Sequence, residues 1–219
     1  MPVERLVAAA RTHDALVSVD AIQALGVVPV DVRALGADIV VGGSHKWLMG
    51  LEGLGFLYVR PDRLPLLQPR TAGWLSHEDP LDFLLQGAGH LPYDRPIRRT
   101  VDYFEGTSAN ALGAAALDAS LGLLLQLGIP QIHAHVTQYL DALEDGLLDR
   151  GFTSLRDRSR SSGILSVLPP GGDSVHWNDA LNAHGVGVSA PDGRLRLSPH
   201  WANALTEIPR VLSIVDTLL

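Results

Sequence analysis

The sequence contains no cysteine. That excludes disulfides, thiolate metal sites and cysteine nucleophiles supplied by this chain, and it fits a reducing compartment. No apolar run reaches the roughly 20 residues that a membrane-spanning helix needs. The polar opening "MPVERLVAAARTHD" lacks a signal-peptide core, so the expectation is a soluble, cytoplasmic protein with no membrane partner. Positive charge is in the minority: 17 Lys and Arg stand against 24 Asp and Glu, for a formal charge of -7. No basic footprint for nucleic acid or for an anionic bilayer results. Aromatic residues make up only 5%, and there is no internal repeat or low-complexity tract. A small-molecule ligand is the class that survives. The 219 residues suffice for one domain or two small ones.

Apolar residues at helical spacing (Val3, Leu6, Val7, Ala10) after Pro2 predict an opening helix. "ALVSVD" (15–20), "DIVVGG" (38–43) and "GFLYVRP" (55–61) read as buried strands, with a helical turn in "VDVRALGAD". Helix and strand alternate, which indicates an α/β layer with some parallel pairing. From Pro61 to Arg99 no period holds, and the stretch reads as loop with short helices. "NALGAAALDASLGLLLQLG" (110–128) and "IPQIHAHVTQYLDALEDGLLDRG" (129–151) predict a helix pair, the second amphipathic and closed by Gly151. "SGILSVLPP", "GVGVSA" and "RLRLSPH" read as strands around the helix "VHWNDALNAHG", and "ALTEIPRVLSIVDTLL" closes the chain as a helix. The division expected is residues 1–110 and a C-terminal α+β part at 111–219. His133 and His135 lie two apart on a helix and face different ways, so no metal pair is expected and both read as surface residues. "TAGWLSHEDPLDF" reads equally as a substrate entrance or as a packed loop anchored by Trp74 and Phe83.

The first strand ends in Asp20, followed by Gln23, and the second runs into Ser44, His45 and Lys46. Ligands of α/β sheets sit beyond the carboxyl ends of the strands, so these groups are expected to converge there. Singly, such a lysine is a solvated charge and such an aspartate a helix cap. Together they match one chemistry. A lysine amine forms a Schiff base with the aldehyde of pyridoxal phosphate, and a carboxylate keeps the pyridine nitrogen protonated. The freed lysine then serves as general base and acid at the substrate Cα.

"VSVDAIQALGVVPVDVRALGADIVVGGSHKWLMGLEGLGFLYVRP" resembles the class V aminotransferases, fold-type-I pyridoxal-phosphate enzymes that also include cysteine desulfurases, kynureninase and epimerase-like members. The resemblance covers almost the whole chain. Its core is an Asp-x-x-Gln signature followed in register by His-Lys. It implies an α/β fold: the C-terminal part of a fold-type-I large domain, cofactor-binding and three-layered, plus a small α+β C-terminal domain. It implies pyridoxal 5'-phosphate as cofactor, Lys46 as the Schiff-base lysine, Asp20 at the pyridine nitrogen, Gln23 on the phenolic oxygen and His45 on the phosphate. The hydroxyl often found three residues before the lysine is Gly43 here, with Ser44 beside it as the phosphate candidate. "YFEGTSAN" resembles the turn whose Gly-Thr pair, here Gly106 and Thr107, reaches the phosphate held by a partner subunit, which implies a homodimer. "RLRLSPH" resembles the segment whose arginine grips the substrate carboxylate through two parallel hydrogen bonds. Arg196 fits that register, and Arg194 is its neighbour.

Met1 falls where members of this family are already well inside the large domain, so the family's N-terminal part is expected to be missing. The function implied is transamination of an amino acid with a keto acid. A lyase or epimerase of the same family is the alternative, and a catalytically incompetent fragment acting as an interaction module is another. Desulfurases that form a persulfide need a thiol in a loop after the lysine, and the lack of cysteine disfavours that route.

Overall fold

Helix α1 (Val3–Arg11) turns Val7 inward and leaves the charged face outside, as its apolar spacing requires. The computed structural model describes residues 3–68, 70–90, 94–160 and 162–219. Pro2, Pro69 and residues 91–93 of the long loop lie outside the described residues, as does the side chain of Phe83. The chain forms two compact units, one from Pro2–Ile22 with Asp31–Ser120, the other from Gln23–Val30 with Leu121–Leu219.

In the first unit, β1 (Ser18–Asp20), β2 (Ile39–Gly43) and β3 (Gly55–Val59) form a sheet in that order. β1 and β2 run parallel, with Ser18 opposite Ile39 and Asp20 opposite Val41. β3 returns antiparallel, with Val40 opposite Tyr58. The crossover from β1 to β2 contains α2 (Val32–Leu35). Asp31 caps it by accepting from the N–H groups of Arg33 and Ala34, and Gly36 ends it at φ 67°, a left-handed conformation that glycine adopts without strain. Val40, Ala37, Trp47 and Val59 are buried around this sheet.

The N-terminal end of β2 is tied down by Asp38, only 4% exposed. Its carboxylate accepts from Val17 N–H at 2.8 Å and pairs with Arg60 and Arg63, each at 3.0 Å. Burial alone would raise its pKa. The Val17 N–H and the two guanidinium groups outweigh that and hold the carboxyl below its ordinary value.

Residues 61–99 are mostly loop, with short 3₁₀ turns and the brief helix α3 (Asp82–Gln86). α4 (Ala111–Leu127) carries the chain from the first unit to the second, and Asn110 caps it by accepting from Gly113 N–H at 2.9 Å.

In the second unit, α5 (Ile129–Leu148) buries Ile132, Val136, Tyr139, Leu140, Leu143 and Leu147, a single stripe at helical spacing. Gly151, at φ 81°, reverses the chain after it. The antiparallel sheet β4 (Thr153–Ser154), β5 (Leu165–Leu168), β6 (Leu195–Leu197) alternates buried and part-exposed residues along β5 and β6, as a sheet with one covered face must. α6 (Ser174–Ala183) and α7 (Ile208–Leu218) complete the unit, and Trp177 of α6 meets Phe152 edge-on with ring centroids 5.0 Å apart.

Three features depart from the sequence reading. "GVGVSA" is not a strand: Gly185 adopts φ 77°, and only Ser189 pairs, exchanging two bonds with Arg196 at 3.3 and 2.8 Å. The two-residue β4 is too short to leave a sequence signal. His133 and His135 are not surface residues but half-buried, because α5 is covered beyond its apolar stripe. His135 Nε2–H donates to the carbonyl of Asn203 at 2.8 Å. Among the described residues, no single helix is long and apolar enough to cross a membrane, since α4 and α5 meet at a 76° bend.

Candidate functional site

Because β1 and β2 are parallel neighbours in register, their carboxyl ends open on the same side of the first unit. Ala21 N–H still bonds to Val41 at 2.8 Å as the chain leaves β1. Asp20 stands there exposed. One of its oxygens accepts from Ile22 N–H at 2.9 Å, and the other has no partner among the described residues.

The segment after β2 explains how a lysine is held at this edge. Ser44 is fully buried, and its hydroxyl donates to the carbonyls of Leu51 and of Leu54, the latter at 3.0 Å. Its own N–H reaches Leu54 at 3.0 Å, and its carbonyl accepts from Gly50 N–H at 2.8 Å. Gly50 has no alternative, because a Cβ there would lie 2.8 Å from Ser44 Cβ. Trp47 and Leu48 are buried as well, at 5% and 8% exposure. With Ser44, Trp47 and Leu48 drawn inward, His45 and Lys46 are left facing solvent. The Lys46 side chain has no hydrogen bond or ion pair among the described residues, so its amine is available.

This geometry corrects the expectation for Ser44. Its hydroxyl is spent inside its own loop, and it shapes the turn that presents Lys46 rather than reaching a phosphate. Gly43 is equally constrained. A Cβ there would come within 3.0 Å of Ile22 and 3.1 Å of the His45 ring, so the usual hydroxyl residue does not fit unless both shift.

Gly106 and Thr107 lie elsewhere in the first unit, along a groove of about 540 Å³ that also involves Thr71, Gly73, Tyr103 and Arg70. The stretch from Thr71 packs against this turn. A Cβ on Gly73 would overlap the Gly106 carbonyl oxygen, Ser76 Oγ donates to Tyr103 O at 2.8 Å, and Tyr103 OH donates to Thr71 O at 2.6 Å. Thr107 is exposed. Asn110 Nδ2 reaches Gly53 O at 3.4 Å, which brings the end of this turn against the loop that follows Lys46. Arg70, overlooked in the sequence, adds a cation beside the Gly-Thr pair. Nothing periodic marks it, and only the fold shows its neighbours.

In the second unit, Arg196 of β6 donates from one guanidinium nitrogen to Gln23 Oε1 at 3.2 Å. Arg196 is half-buried, whereas Arg194 is exposed and its side chain has no hydrogen bond or ion pair among the described residues. A half-buried arginine beside an amide, on a regular strand, can receive a carboxylate in a fixed orientation. The structure therefore groups Asp20 with the lysine loop in one unit and Gln23 with Arg196 in the other, while the chain itself sets Asp20 and Gln23 three residues apart.

Comparison with known proteins gives the family. The chain is 31% identical over 211 residues to the uncharacterized aminotransferase YcbU of Bacillus subtilis, an alignment covering 88% of this chain and 49% of that protein. It is 29% identical over 232 residues to isopenicillin N epimerase of Streptomyces clavuligerus, covering all of this chain and 56% of that one. Among solved structures, the apo cysteine desulfurase of Thermococcus onnurineus NA1 superposes with a TM-score of 0.86 at 24% identity, over 99% of this chain and 56% of that chain. The chain thus spans about half the length of these relatives, and it shares the α/β fold of the solved structure. The aminotransferase class-V family matches residues 1–203, which include the parallel strand ends, the lysine loop and the arginine strand alike, and the chain belongs to that family.

Proposed function

We propose that this chain is the lysine-bearing part of a pyridoxal-phosphate-dependent enzyme that transfers the amino group of an amino acid to a keto acid, with Lys46 taking the cofactor covalently. The observation that carries the reading is the exposed, unpartnered Lys46 at the carboxyl end of β2, beside Asp20 at the same end of the parallel neighbour β1. The donor set fits the group: an available amine, a carboxylate with one open oxygen, and an exposed imidazole at His45.

When bound, pyridoxal phosphate supplies an electron sink for charge that develops at the substrate Cα. Asp20 would hold the pyridine nitrogen, Gln23 the phenolic oxygen and His45 the phosphate. Gly106 and Thr107, with Arg70 beside them, would serve the phosphate of a second copy in a homodimer. The largely exposed Leu112, Leu125 and Leu85, at 80%, 73% and 81%, are apolar surface for another chain to cover. Arg196 grips the substrate carboxylate and so orients the Cα–H bond, and the Lys46 amine takes that proton and returns it. The cysteine-free sequence fits a cytoplasmic setting.

A second reading, epimerisation or C–S cleavage, keeps the same residues and is favoured by relatives named isopenicillin N epimerase and cysteine desulfurase. This chain offers no thiol to receive sulfur. The test adds pyridoxal phosphate to the purified protein, reduces with borohydride and maps the adduct by mass spectrometry. Product analysis with L-amino acids and a keto acid acceptor follows. An adduct on Lys46 with keto-acid formation is expected, and an adduct on another residue overturns the assignment.

A further inference from the structure

We propose that a cleft in the second unit, between α5, the Gly185–Val188 segment and the start of α7, binds the zwitterionic head of a small α-amino acid. It is distinct from the site built on Arg196. The cleft measures about 190 Å³, room for several groups of the size of a water, each of which takes about 30 Å³ in the liquid. It is lined by Tyr139, Leu143, Val188, Leu197, Glu207 and Arg210, among others. Leu197 and Arg196 are successive residues of β6, and successive strand side chains point to opposite faces of the sheet. The cleft therefore lies across the sheet from Arg196.

Its charges are arranged for a ligand carrying both signs. Glu207 and Arg210 sit three apart, the spacing at which opposite charges on a helix usually pair. They do not pair here. Glu207 Oε2 accepts from Asn203 Nδ2 at 3.2 Å, while the Arg210 side chain has no hydrogen bond or ion pair among the described residues. Instead the Arg210 guanidinium reaches toward Gly185, 3.9 Å from where a Cβ would stand. Gly187 lies on the same rim, and its N–H has no hydrogen-bond partner among the described residues.

The independent sign of a ligand is Tyr139. It is only 5% exposed, lines the cleft, and its hydroxyl has no hydrogen-bond partner among the described residues. The hydroxyl opens on the cleft rather than being sealed within the protein, so it is free to bond with whatever enters. Burial and the nearby Glu207 carboxylate push its pKa up, so it stays a neutral hydroxyl whose oxygen can accept a hydrogen bond from an ammonium.

A simple anion would meet Arg210 but also Glu207, and a simple cation would meet Glu207 but also Arg210. A zwitterion satisfies both, with its ammonium toward Glu207 and Tyr139 and its carboxylate toward Arg210 and the Gly187 N–H. Leu143, Val188 and Leu197 then receive a short apolar side chain.

The test titrates the full ¹⁵N-labelled chain, without cofactor, with L-alanine, propionate and L-alaninamide and follows the backbone amides by NMR. Saturable shifts centred on Gly185, Gly187 and Asn203 are expected with L-alanine, and binding weaker by roughly tenfold or more with either probe that lacks one charge. Glu207→Gln and Arg210→Gln should each weaken L-alanine by a similar factor, Tyr139→Phe by less, and Arg196→Lys should leave these shifts in place. The proposal is overturned by an absence of saturable shifts at these amides up to about 50 mM. It is equally overturned by equal affinity for propionate, or by shifts that vanish in Arg196→Lys and persist in Arg210→Gln. Because no cofactor is present, failure here is separate from failure of the proposed transamination.

Discussion

Arg196 donates a 3.2 Å hydrogen bond to Oε1 of Gln23, joining residues 173 apart in the sequence. A guanidinium has only donors, so the contact fixes the amide: its carbonyl faces Arg196 and its NH₂ faces away. The residue proposed to grip the substrate carboxylate is thereby positioned by the residue proposed to meet the cofactor. Arg196→Lys should weaken amino-acid binding by roughly 10- to 100-fold while cofactor affinity changes little, since an ammonium cannot supply two parallel bonds. Gln23→Ala should weaken both. Cofactor absorbance titrations, with and without amino acid, read the two affinities, and equal losses in Arg196→Lys contradict the role.

Lys46→Ala should abolish the borohydride-trapped adduct and leave the fold untouched. The side chain is exposed and makes no hydrogen bond or ion pair among the described residues, so the change in stability should stay within about 0.5 kcal/mol. Mass spectrometry reads the adduct and a urea titration the stability. A persisting adduct, or a large loss of stability, would show that Lys46 does something else.

Ser44→Ala should be costly. It removes, from a fully buried residue, the hydroxyl that serves the carbonyls of Leu51 and Leu54, the latter keeping the Ser44 N–H. The expected cost is about 1–3 kcal/mol. Gly50→Ala should destabilise as well, because its new Cβ would press on Ser44. If Ser44 instead acted on a phosphate, Ser44→Ala would weaken cofactor binding with no change in the urea midpoint.

The strand ends before Asp20 and Lys46 were legible in the sequence because each is a short β-branched run; singly either residue reads as a helix cap or a solvated charge, and only the two in register carried the expectation. The parallel pair β1–β2 followed from the intervening helical turn. Ser44 was ambiguous for a physical reason: a hydroxyl beside a lysine looks the same whether it donates to a ligand or to its own loop, and only the backbone path through Gly50 decides. The Arg196–Gln23 bond and the cleft at Tyr139 depend on residues brought together from distant elements, which no local period encodes. The same holds for Glu144, buried at 2% exposure, whose carboxylate pairs with Arg156 at 3.0 Å and Arg158 at 2.6 Å. In sequence Glu144 is one charge on an amphipathic helix.

Asp38 makes the first unit acid-sensitive. Burial opposes its ionisation, but the Val17 N–H, Arg60 and Arg63 together hold its folded pKa below the ordinary value. The unfolded chain therefore binds this proton more readily than the folded one, and stability contributed by Asp38 is complete above the ordinary carboxylate value near 4. It is lost as pH falls through the lower, folded value. Asp38→Asn keeps the shape but removes the charge, leaving Arg60 and Arg63 without this partner, so the variant should be less stable at pH 7. Its stability should also depend less on pH below about 4, because one proton-linked group is gone. Urea melts of both proteins across acid pH, followed by the fluorescence of the buried Trp47, measure the two slopes. The difference in stability should shrink as pH falls. A difference that stays constant would mean that Asp38 acts through packing alone, and one that grows would mean that its folded pKa is raised.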